Sequence, residues 1–272
     1  MSKSLQALFN LASSPLDYPR RELKDVSGTK SMIGQIPAVV YQTWVSKRLT
    51  RRLHKSVTSF RELNPELSFA LFDDIDADAY MRNNWGHREI FSVYRDARFG
   101  PMRADVFRYC ILYDRGGFYF DISKGLSRPI SKFVSHTDRE MIAAEANRHD
   151  LDVPNDVISR INEPNNLFVQ WGFGFAPKHE LLGGLISSIE DRQDLFRDKE
   201  FEFPKAAILE LTGPVAFTKA VWRYLQIDDV HELNQQGTDF HMSAKLSLRG
   251  AAGRYRQSSN YLFARPGKIL GS

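Results

Sequence analysis

The chain has 272 residues, of which 42% are hydrophobic and 26% charged, and its formal net charge is +4. This composition is ordinary for a globular protein with a core, and no stretch reaches the roughly 20 consecutive apolar residues of a membrane-spanning helix. One cysteine, Cys110, excludes an intrachain disulfide and a cysteine-rich zinc module and fits a reducing compartment. We therefore expect a cytoplasmic protein, and its first apolar clusters are too short for a signal peptide.

The N-terminal residues differ in pattern from the rest of the chain. Residues 1–30 contain a short predicted helix, the turn-rich stretch SSPLDYP and a basic stretch. They are predicted to be an N-terminal extension, with one domain over residues 31–272.

Residues 36–72 have the pattern of a strand, a helix and a second strand. IPAVVYQTW at 36–44 is β-branched and aromatic, and apolar residues recur at helical spacing over 48–63. A second strand is predicted over 67–72. This order predicts a βαβ unit and a parallel sheet.

A basic run, KRLTRRLHK at 47–55, overlaps the predicted helix. One interpretation is a solvated helix face. The other is contact with a phosphate-rich partner, such as an anionic membrane surface or a nucleotide. Nucleic acid is disfavoured because the run has no interleaved aromatic residues.

Residues 103–123, RADVFRYCILYDRGGFYFDIS, combine a mostly apolar helix with a charged pair. Asp105 and Arg108 are three residues apart and therefore lie on one narrow polar stripe of that helix. The pair forms either a local ion pair or part of the lining of a polar cavity.

A short strand follows the helix. Gly116 and Gly117 are predicted to end the helix, because glycine adopts the left-handed conformation easily. Residues 118–120 are wholly apolar, as in a sheet covered on both faces, and Asp121 follows them. In open α/β sheets ligands bind at the carboxyl ends of strands, where a carboxylate can hold a metal-bound diphosphate or a sugar hydroxyl. An aspartate at this position is also a common turn residue.

The second half of the chain predicts further α/β elements. Residues 146–166 form a predicted long loop, 168–176 a strand, and 179–190 and 214–225 helices. Thr212-Gly213-Pro214 is either the beginning of the last helix or a loop whose backbone N–H groups face a phosphate or an acceptor.

Four stretches in order resemble glycosyltransferase family 32, whose members include fungal Golgi mannosyltransferases and the glucosyltransferase domains of clostridial toxins. They are IPAVVYQTW, NPELSFALFDD, RADVFRYCILYDRGGFYFDIS and WGFGFAPKHELL. The resemblance covers about residues 36–225 and is most specific in the third stretch. It implies a GT-A fold, in which a Rossmann-like, mostly parallel sheet is flanked by helices. It also implies that Trp44 stacks on the nucleotide base, and that Asp105 and Arg108 hold the hydroxyls of the donor sugar.

The same resemblance identifies Asp121 as the first acid of a DXD motif, whose third position is Ser123 here. A complete motif implies a divalent cation, Mn²⁺ or Mg²⁺, bound through these residues. Because a hydroxyl is a poor ligand for a hard cation, Ser123 departs from the pattern. Lys124 follows directly, and its ammonium could neutralise part of the charge of the diphosphate.

The resemblance implies transfer of a sugar from a nucleotide diphosphate to a glycan or lipid-linked acceptor, with retention of anomeric configuration. Surface polysaccharide synthesis is one setting for such an enzyme. The first alternative is an inactive nucleotide-sugar-binding or scaffold protein with a degenerate DXD motif, and the second is a basic surface-binding protein. Residues 230–272 are a possible C-terminal lid over the diphosphate, with Ser258, Ser259 and Tyr261 as candidate contacts.

Overall fold

The computed structural model describes residues 20–227, 233–246 and 265–271. Its strands are β1 Arg21–Glu22, β2 Met32–Ile33, β3 Ile36–Pro37, β4 Val39–Thr43, β5 Arg48–Leu49, β6 Ser68–Phe72, β7 Gly117–Phe120, β8 Lys124–Leu126, β9 Glu140–Arg148, β10 Asn166–Phe168, β11 Gly172–Phe175, β12 Glu200–Phe201, β13 Gln235–Thr238, β14 Ala244–Leu246 and β15 Gly267–Lys268.

The helices of the same ranges are α1 Arg51–Glu62, α2 Asp74–Trp85, α3 Glu89–Asp96, α4 Gly100–Arg115, α5 Asn155–Ile158, α6 Glu180–Arg192, α7 Pro204–Leu211 and α8 Pro214–Leu225. Short 3-10 turns lie at Ile130–Lys132 and Gln193–Leu195, and Asp239–Met242 form a left-handed turn because all four residues have positive φ. None of the described helices is long and apolar enough to cross a membrane.

The predicted strand–helix–strand unit is confirmed at the beginning of the domain. The side chain of Thr50 accepts a hydrogen bond from the backbone N–H of Leu53 at 3.4 Å and so begins α1. β4 and β6 pair in parallel from Val39↔Ser68 to Thr43↔Phe72. A helix crossover between two parallel strands is the βαβ arrangement that the sequence predicted.

Seven strands form the central sheet in the order β10-β9-β11-β7-β4-β6, with β13 paired to β9. β4 is parallel to β6 and β7, and β13 is parallel to β9, whereas β10 and β11 run antiparallel to their neighbours. Five of these strands therefore point the same way, and the predicted α/β architecture with a mostly parallel sheet is confirmed. As a result, the carboxyl ends of β4, β6, β7, β9 and β13 meet at one edge.

Helices cover both faces of the sheet because alternate residues of each strand point to opposite sides. On β4, Tyr41 packs into the cluster that α2, α3, α4, α6, α7 and α8 share. Val40 packs into a second cluster, together with Phe60 of α1. α1 therefore lies on the other face of the sheet from α2 and α4.

The glycines after α4 act as the sequence predicted. Gly116 has φ +65° and its N–H donates to the carbonyl of Leu112 at 2.8 Å, and Gly117 has φ +108°. A Cβ on Gly117 would also lie 2.8 Å from the carbonyl oxygen of Val39 on β4. Both the conformation and the close approach require glycine, so α4 ends at Arg115 and the chain turns directly into β7.

The structure adds detail that the sequence pattern did not contain at three places. The predicted strand over 168–176 is two strands, interrupted around Trp171. There the carbonyl of Gln170 accepts a hydrogen bond from Arg108 of α4, and the carbonyl of Trp171 accepts one from the backbone N–H of Asp121. α7 was not predicted. Residues 21–30 lie against the domain rather than apart from it: β1 pairs with β5, and Val26 exchanges backbone hydrogen bonds with Phe69. The division at residue 30 stays a prediction, and residues 1–19 lie outside the described ranges.

Candidate active site

The sheet edge where the carboxyl ends meet brings together residues that are far apart in the chain. Asp121 follows β7, and Trp44 follows the adjacent strand β4. Trp171 precedes β11, which runs the opposite way, so it lies at the same edge. Glu145 lies in the second half of β9 and Asp239 directly follows β13. Neighbouring strands are about 4.8 Å apart, so this row crosses only a few strand spacings.

A guanidinium between two carboxylates is the central feature of this edge. Nη2 of Arg108 lies 3.3 Å from Oδ1 of Asp105 and 3.3 Å from Oδ1 of Asp121. The side chains of Asp105 and Arg108 are only 10% and 6% exposed, whereas that of Asp121 is 24% exposed. The ion pair of the first interpretation is therefore present, and it continues to the partly exposed acid at the strand end, whereas the lining of a polar cavity stays a prediction.

Burial changes the acid–base properties of this group. It raises the pKa of Asp105 to about 7, although the charge of Arg108 opposes the rise. Burial also raises the pKa of Asp121, again against the charge of Arg108. For Arg108 itself, burial acts against the charge, but Tyr119 and the two aspartates outweigh it and raise its pKa. At neutral pH Arg108 is therefore charged, and the pH lies close to the pKa of Asp105.

A buried hydrogen-bonded frame fixes the two helix residues. The hydroxyl of Thr212 donates to Oδ2 of Asp105 at 3.2 Å, and Nη1 of Arg108 donates to the carbonyl of Gln170 at 2.6 Å. The carbonyl of Thr212 accepts from the hydroxyl of Tyr109 at 2.7 Å and from Nε2 of Gln170 at 3.1 Å. The frame thus connects α4, the interruption before β11 and the α7–α8 junction.

Sequence reasoning missed this frame. The helix beginning predicted at Thr212-Gly213-Pro214 is confirmed, since Gly213 lies directly before α8, but the pattern did not predict that the Thr212 side chain bonds to Asp105. Gln170 and Tyr109 carried no signal, because a glutamine in a strand and a tyrosine in an apolar helix both fit a core.

Lys124 lies at the other side of Asp121. Its backbone N–H donates to the carbonyl of Asp121 at 2.8 Å, and its Nζ lies 5.3 Å from the centre of the Trp171 ring. Burial and the neighbouring Asp239 raise the pKa of Glu145 to about 7, and burial raises the pKa of Asp239. The ammonium of Lys124 opposes the rises at Asp121, Glu145 and Asp239, so three carboxylates share its charge.

The residues of the DXD position do not form a resident metal site. Asp121 is paired with Arg108, and Ser123 is only 3% exposed. In the described part of the chain, no group of three His, Cys, Asp or Glu side chains could hold a metal ion. A single carboxylate and a buried hydroxyl are a poor ligand set for Mn²⁺ or Mg²⁺, which take six or more oxygen ligands.

Trp44 lies beside this group on the neighbouring strand. Its backbone N–H donates to the carbonyl of Phe72 at 3.0 Å, which fixes the chain where β4 ends. The half-buried side chain packs against a small cluster that includes Leu53 and Ile122, the residue between Asp121 and Ser123. The ring is thus next to the DXD loop, and its stacking on a base stays a prediction.

Part of the predicted C-terminal lid contacts this edge. β14 pairs antiparallel with β8, and Phe240 packs on the Trp171 ring with a centroid distance of 5.4 Å. The candidate contacts Ser258, Ser259 and Tyr261 lie outside the described residues, and the lid itself stays a prediction.

Comparison with known proteins finds similarity to glycosyltransferases. Residues 50–143 match the model of a family described as "Glycosyltransferase sugar-binding region containing DXD motif". The chain is 29% identical over 202 residues to the initiation-specific alpha-1,6-mannosyltransferase of Schizosaccharomyces pombe, covering 70% of this chain and 49% of that protein. The corresponding protein of Candida albicans is 27% identical over 212 residues, covering 70% and 53%.

A further relative is inositol phosphoceramide mannosyltransferase 1 of S. pombe, 25% identical over 127 residues, covering 46% of this chain and 39% of that protein. The chain spans about half the length of the first two curated relatives. Among solved structures, the "PaToxG Glycosyltransferase" matches with a TM-score of 0.51 at 15% identity, covering 81% of this chain and 77% of that one. The GT-A fold that the sequence implied is thereby confirmed.

Proposed function

We propose that this chain, whose residues 50–143 match the family model of the DXD glycosyltransferases, transfers a hexosyl group from a nucleoside diphosphate to an acceptor hydroxyl. The observation that supports this most directly is the Arg108 guanidinium between Asp105 and Asp121 at the ligand-binding edge of the sheet. A buried cation and two carboxylates recognise the hydroxyls of a sugar by charge-assisted hydrogen bonds.

In this proposal each part of the edge contacts one part of the donor. Trp44 stacks on the base, and the ammonium of Lys124 faces the diphosphate. Asp105 and Arg108 hold the hydroxyls of the sugar, and Asp121 lies between them and Lys124. This order follows the order of the strands, because β4 and β7 are neighbours and Lys124 comes just after β7.

The reaction breaks the bond between the anomeric carbon and the diphosphate oxygen, whose electron pair leaves with the diphosphate. The acceptor oxygen forms the new bond to that carbon and loses its proton. The transition state has oxocarbenium character, so fixed carboxylates that orient the sugar, together with a cation at the leaving group, lower its barrier. Retention of configuration is part of the proposal and is the outcome that the family resemblance implies.

Several relatives have names that indicate mannose as the transferred sugar. We propose a mannosyl or similar hexosyl donor, with a glycan or a lipid-linked acceptor. A role in surface polysaccharide synthesis and a cytoplasmic location at a membrane surface belong to the same proposal. The buried thiol of Cys110 is compatible with a reducing compartment, since burial raises its pKa and keeps it unreactive.

A thermal-shift panel of nucleotide sugars, each with and without Mn²⁺, tests the donor. A ligand at 100 times its dissociation constant stabilises the folded state by about 2.7 kcal/mol. Release of nucleoside diphosphate from the donor that stabilises the protein then tests turnover.

The inactive alternative retains one supporting observation, the lack of a resident metal site in the described residues. It predicts donor binding without any nucleoside diphosphate release, in the presence or absence of acceptors and cations. Slow hydrolysis of the donor would be sufficient to exclude it.

A further inference from the structure

The outer face of α1 is strongly basic. Arg51, Arg52 and Lys55 are exposed on this helix, and Arg48 and Arg21 are exposed on the adjacent pair of strands β5 and β1. We refer to these five residues as the basic face. The first turn of α1 contains no acidic residue, although the positive end of a helix dipole favours one.

Within the described ranges, no ion pair neutralises a cation of the basic face. Neighbouring Lys47 binds Asp76, but none of the five has an acidic partner within residues 20–227, 233–246 and 265–271. Exposed Glu22 and Glu62 are the acids on the same surface. Five cations without an acidic partner among the described residues, beside two acids, produce a local positive potential larger than the net charge of +4 spread over the chain would give.

A groove runs along this face. It has a volume of about 370 Å³, and its lining consists of the cations Arg21, Arg51 and Lys55, the ring of His54, the hydroxyls of Thr58 and Ser59, and one acid, Glu62. Guanidinium, ammonium and hydroxyl groups are the donors that bind phosphate oxygens. Exposed Val45, 53% accessible, lies just before the basic run and adds an apolar side chain beside the cations.

From this surface we propose that α1 docks the protein on an anionic phospholipid bilayer, with one lipid phosphate in the groove. Charge complementarity favours a bilayer, since several separated cations can contact several headgroups at once. The lining of the groove contains no Phe, Tyr or Trp ring that would stack on a base, and its one ring is the imidazole of His54, which disfavours nucleic acid.

The inner face of the same helix connects this surface to the candidate active site. Leu53 and Val57 belong to the same buried cluster as Ile122 of the DXD loop, and a Cβ on Gly125 would lie 3.0 Å from the Phe60 ring. One helix diameter, about 10–12 Å, therefore separates the basic face from that loop. If the proposed sugar transfer holds, docking brings the site close to the headgroups, which fits a lipid-linked acceptor.

The test is co-sedimentation with vesicles of phosphatidylcholine alone and of phosphatidylcholine with phosphatidylglycerol. We expect binding only to the anionic vesicles, and its loss at about 1 M NaCl, where the Debye length is about 3 Å. Each basic residue near such a surface contributes about fivefold to binding. The triple variant Arg51→Ala, Arg52→Ala and Lys55→Ala should therefore bind about a hundredfold more weakly. Alanine at exposed helix positions preserves the helix.

A matched control removes the same charge elsewhere: Arg82→Ala on α2, with Lys132→Ala and Lys199→Ala, all exposed. The control should retain most of the binding. Equal losses of vesicle binding in the two triple variants would show that net charge alone is responsible. Tighter binding to duplex DNA than to anionic vesicles would identify another partner. Either result overturns the proposal. Donor binding by thermal shift is measured in parallel, so a failure of the proposed sugar transfer leaves the vesicle result interpretable.

Discussion

The hydroxyl of Thr212 positions the carboxyl that we place at the donor sugar, and its removal tests the site most directly. Thr212→Val replaces the hydroxyl with a methyl group of similar size and leaves Oδ2 of Asp105 without its partner at 3.2 Å. A hydrogen bond to a charged group contributes about 1.5–3 kcal/mol. If the whole contribution acts in the transition state, the donor turnover rate falls about 10- to 150-fold.

The same substitution has a pH signature with a fixed sign. The hydrogen bond from Thr212 lowers the pKa of Asp105, which burial raises to about 7. Without the hydroxyl this pKa rises further, so the acid limb of the pH profile of kcat/KM should move to higher pH if the ionised carboxylate is the active form. Thr212→Ser restores a hydroxyl and should restore both the rate and the profile. The assay is nucleoside diphosphate release across a pH series.

Thr218 provides a matched control. Its hydroxyl is also buried and accepts a hydrogen bond from the backbone N–H of Phe168 at 2.9 Å, away from the aspartates. Thr218→Val should lower the free energy of unfolding without shifting the pH profile. The reasoning is refuted if Thr212→Val leaves both kcat and the acid limb unchanged, or if Thr218→Val moves them equally.

The remaining predictions concern the other groups of the edge. Trp44→Ala should weaken nucleoside diphosphate binding, measured by calorimetry, by about 1–3 kcal/mol if the ring stacks on the base, and unchanged affinity in a folded variant removes Trp44 from the site. Asp105→Asn should abolish transfer but retain nucleoside diphosphate binding; substantial residual turnover contradicts its role at the sugar. Ser123→Asp completes the DXD motif and should raise Mn²⁺ affinity in the presence of nucleotide, and a gain in turnover with it indicates that a cation arrives with the diphosphate. If Lys124 serves the leaving group instead, activity should persist in EDTA and be lost in Lys124→Ala, and EDTA-resistant activity that survives Lys124→Ala rules out both explanations.

Burial of Asp105 also affects stability. Its pKa of about 7 in the folded protein lies above the ordinary aspartate value of 3.8, so the folded protein binds more protons than the unfolded chain between these values. Its contribution to the free energy of unfolding is therefore fully present below pH 4 or so and is lost as the pH rises to about 7. Asp105→Asn should flatten that part of the stability curve, measured by urea unfolding, and an unchanged slope would mean that Asp105 is ionised throughout.

The charged residues at the centre of the site, Asp105, Arg108 and Asp121, could be predicted from local sequence patterns. The spacing of Asp105 and Arg108 puts them on one helix face whatever the rest of the chain does, and Gly116 and Gly117 end that helix wherever it packs. The strand that follows is wholly apolar, so Asp121 had to be the first polar group at its end. The parallel βαβ unit and the three charged residues were predictable from such local patterns, and the GT-A fold was implied by the resemblance to glycosyltransferase family 32.

Only the structure shows which basic residues of the run at 47–55 form ion pairs. KRLTRRLHK predicts a helix with many cations, but only the folded chain shows that Lys47 meets Asp76 while Arg51, Arg52 and Lys55 stay exposed. The acid that neutralises Lys47 lies 29 residues further along the chain, on a different helix. No pattern within the run distinguishes the two outcomes.

The frame around the site likewise depended on tertiary contacts. Thr212 is 107 residues from Asp105, and Gln170 is 62 residues from Arg108. A helix fixes which neighbours three or four residues apart share a face, because its geometry is repeated at every turn. The packing of the layers decides that Thr212 and the carbonyl of Gln170 meet α4, because these three parts are far apart in the chain. These partners could therefore be identified only in the folded protein.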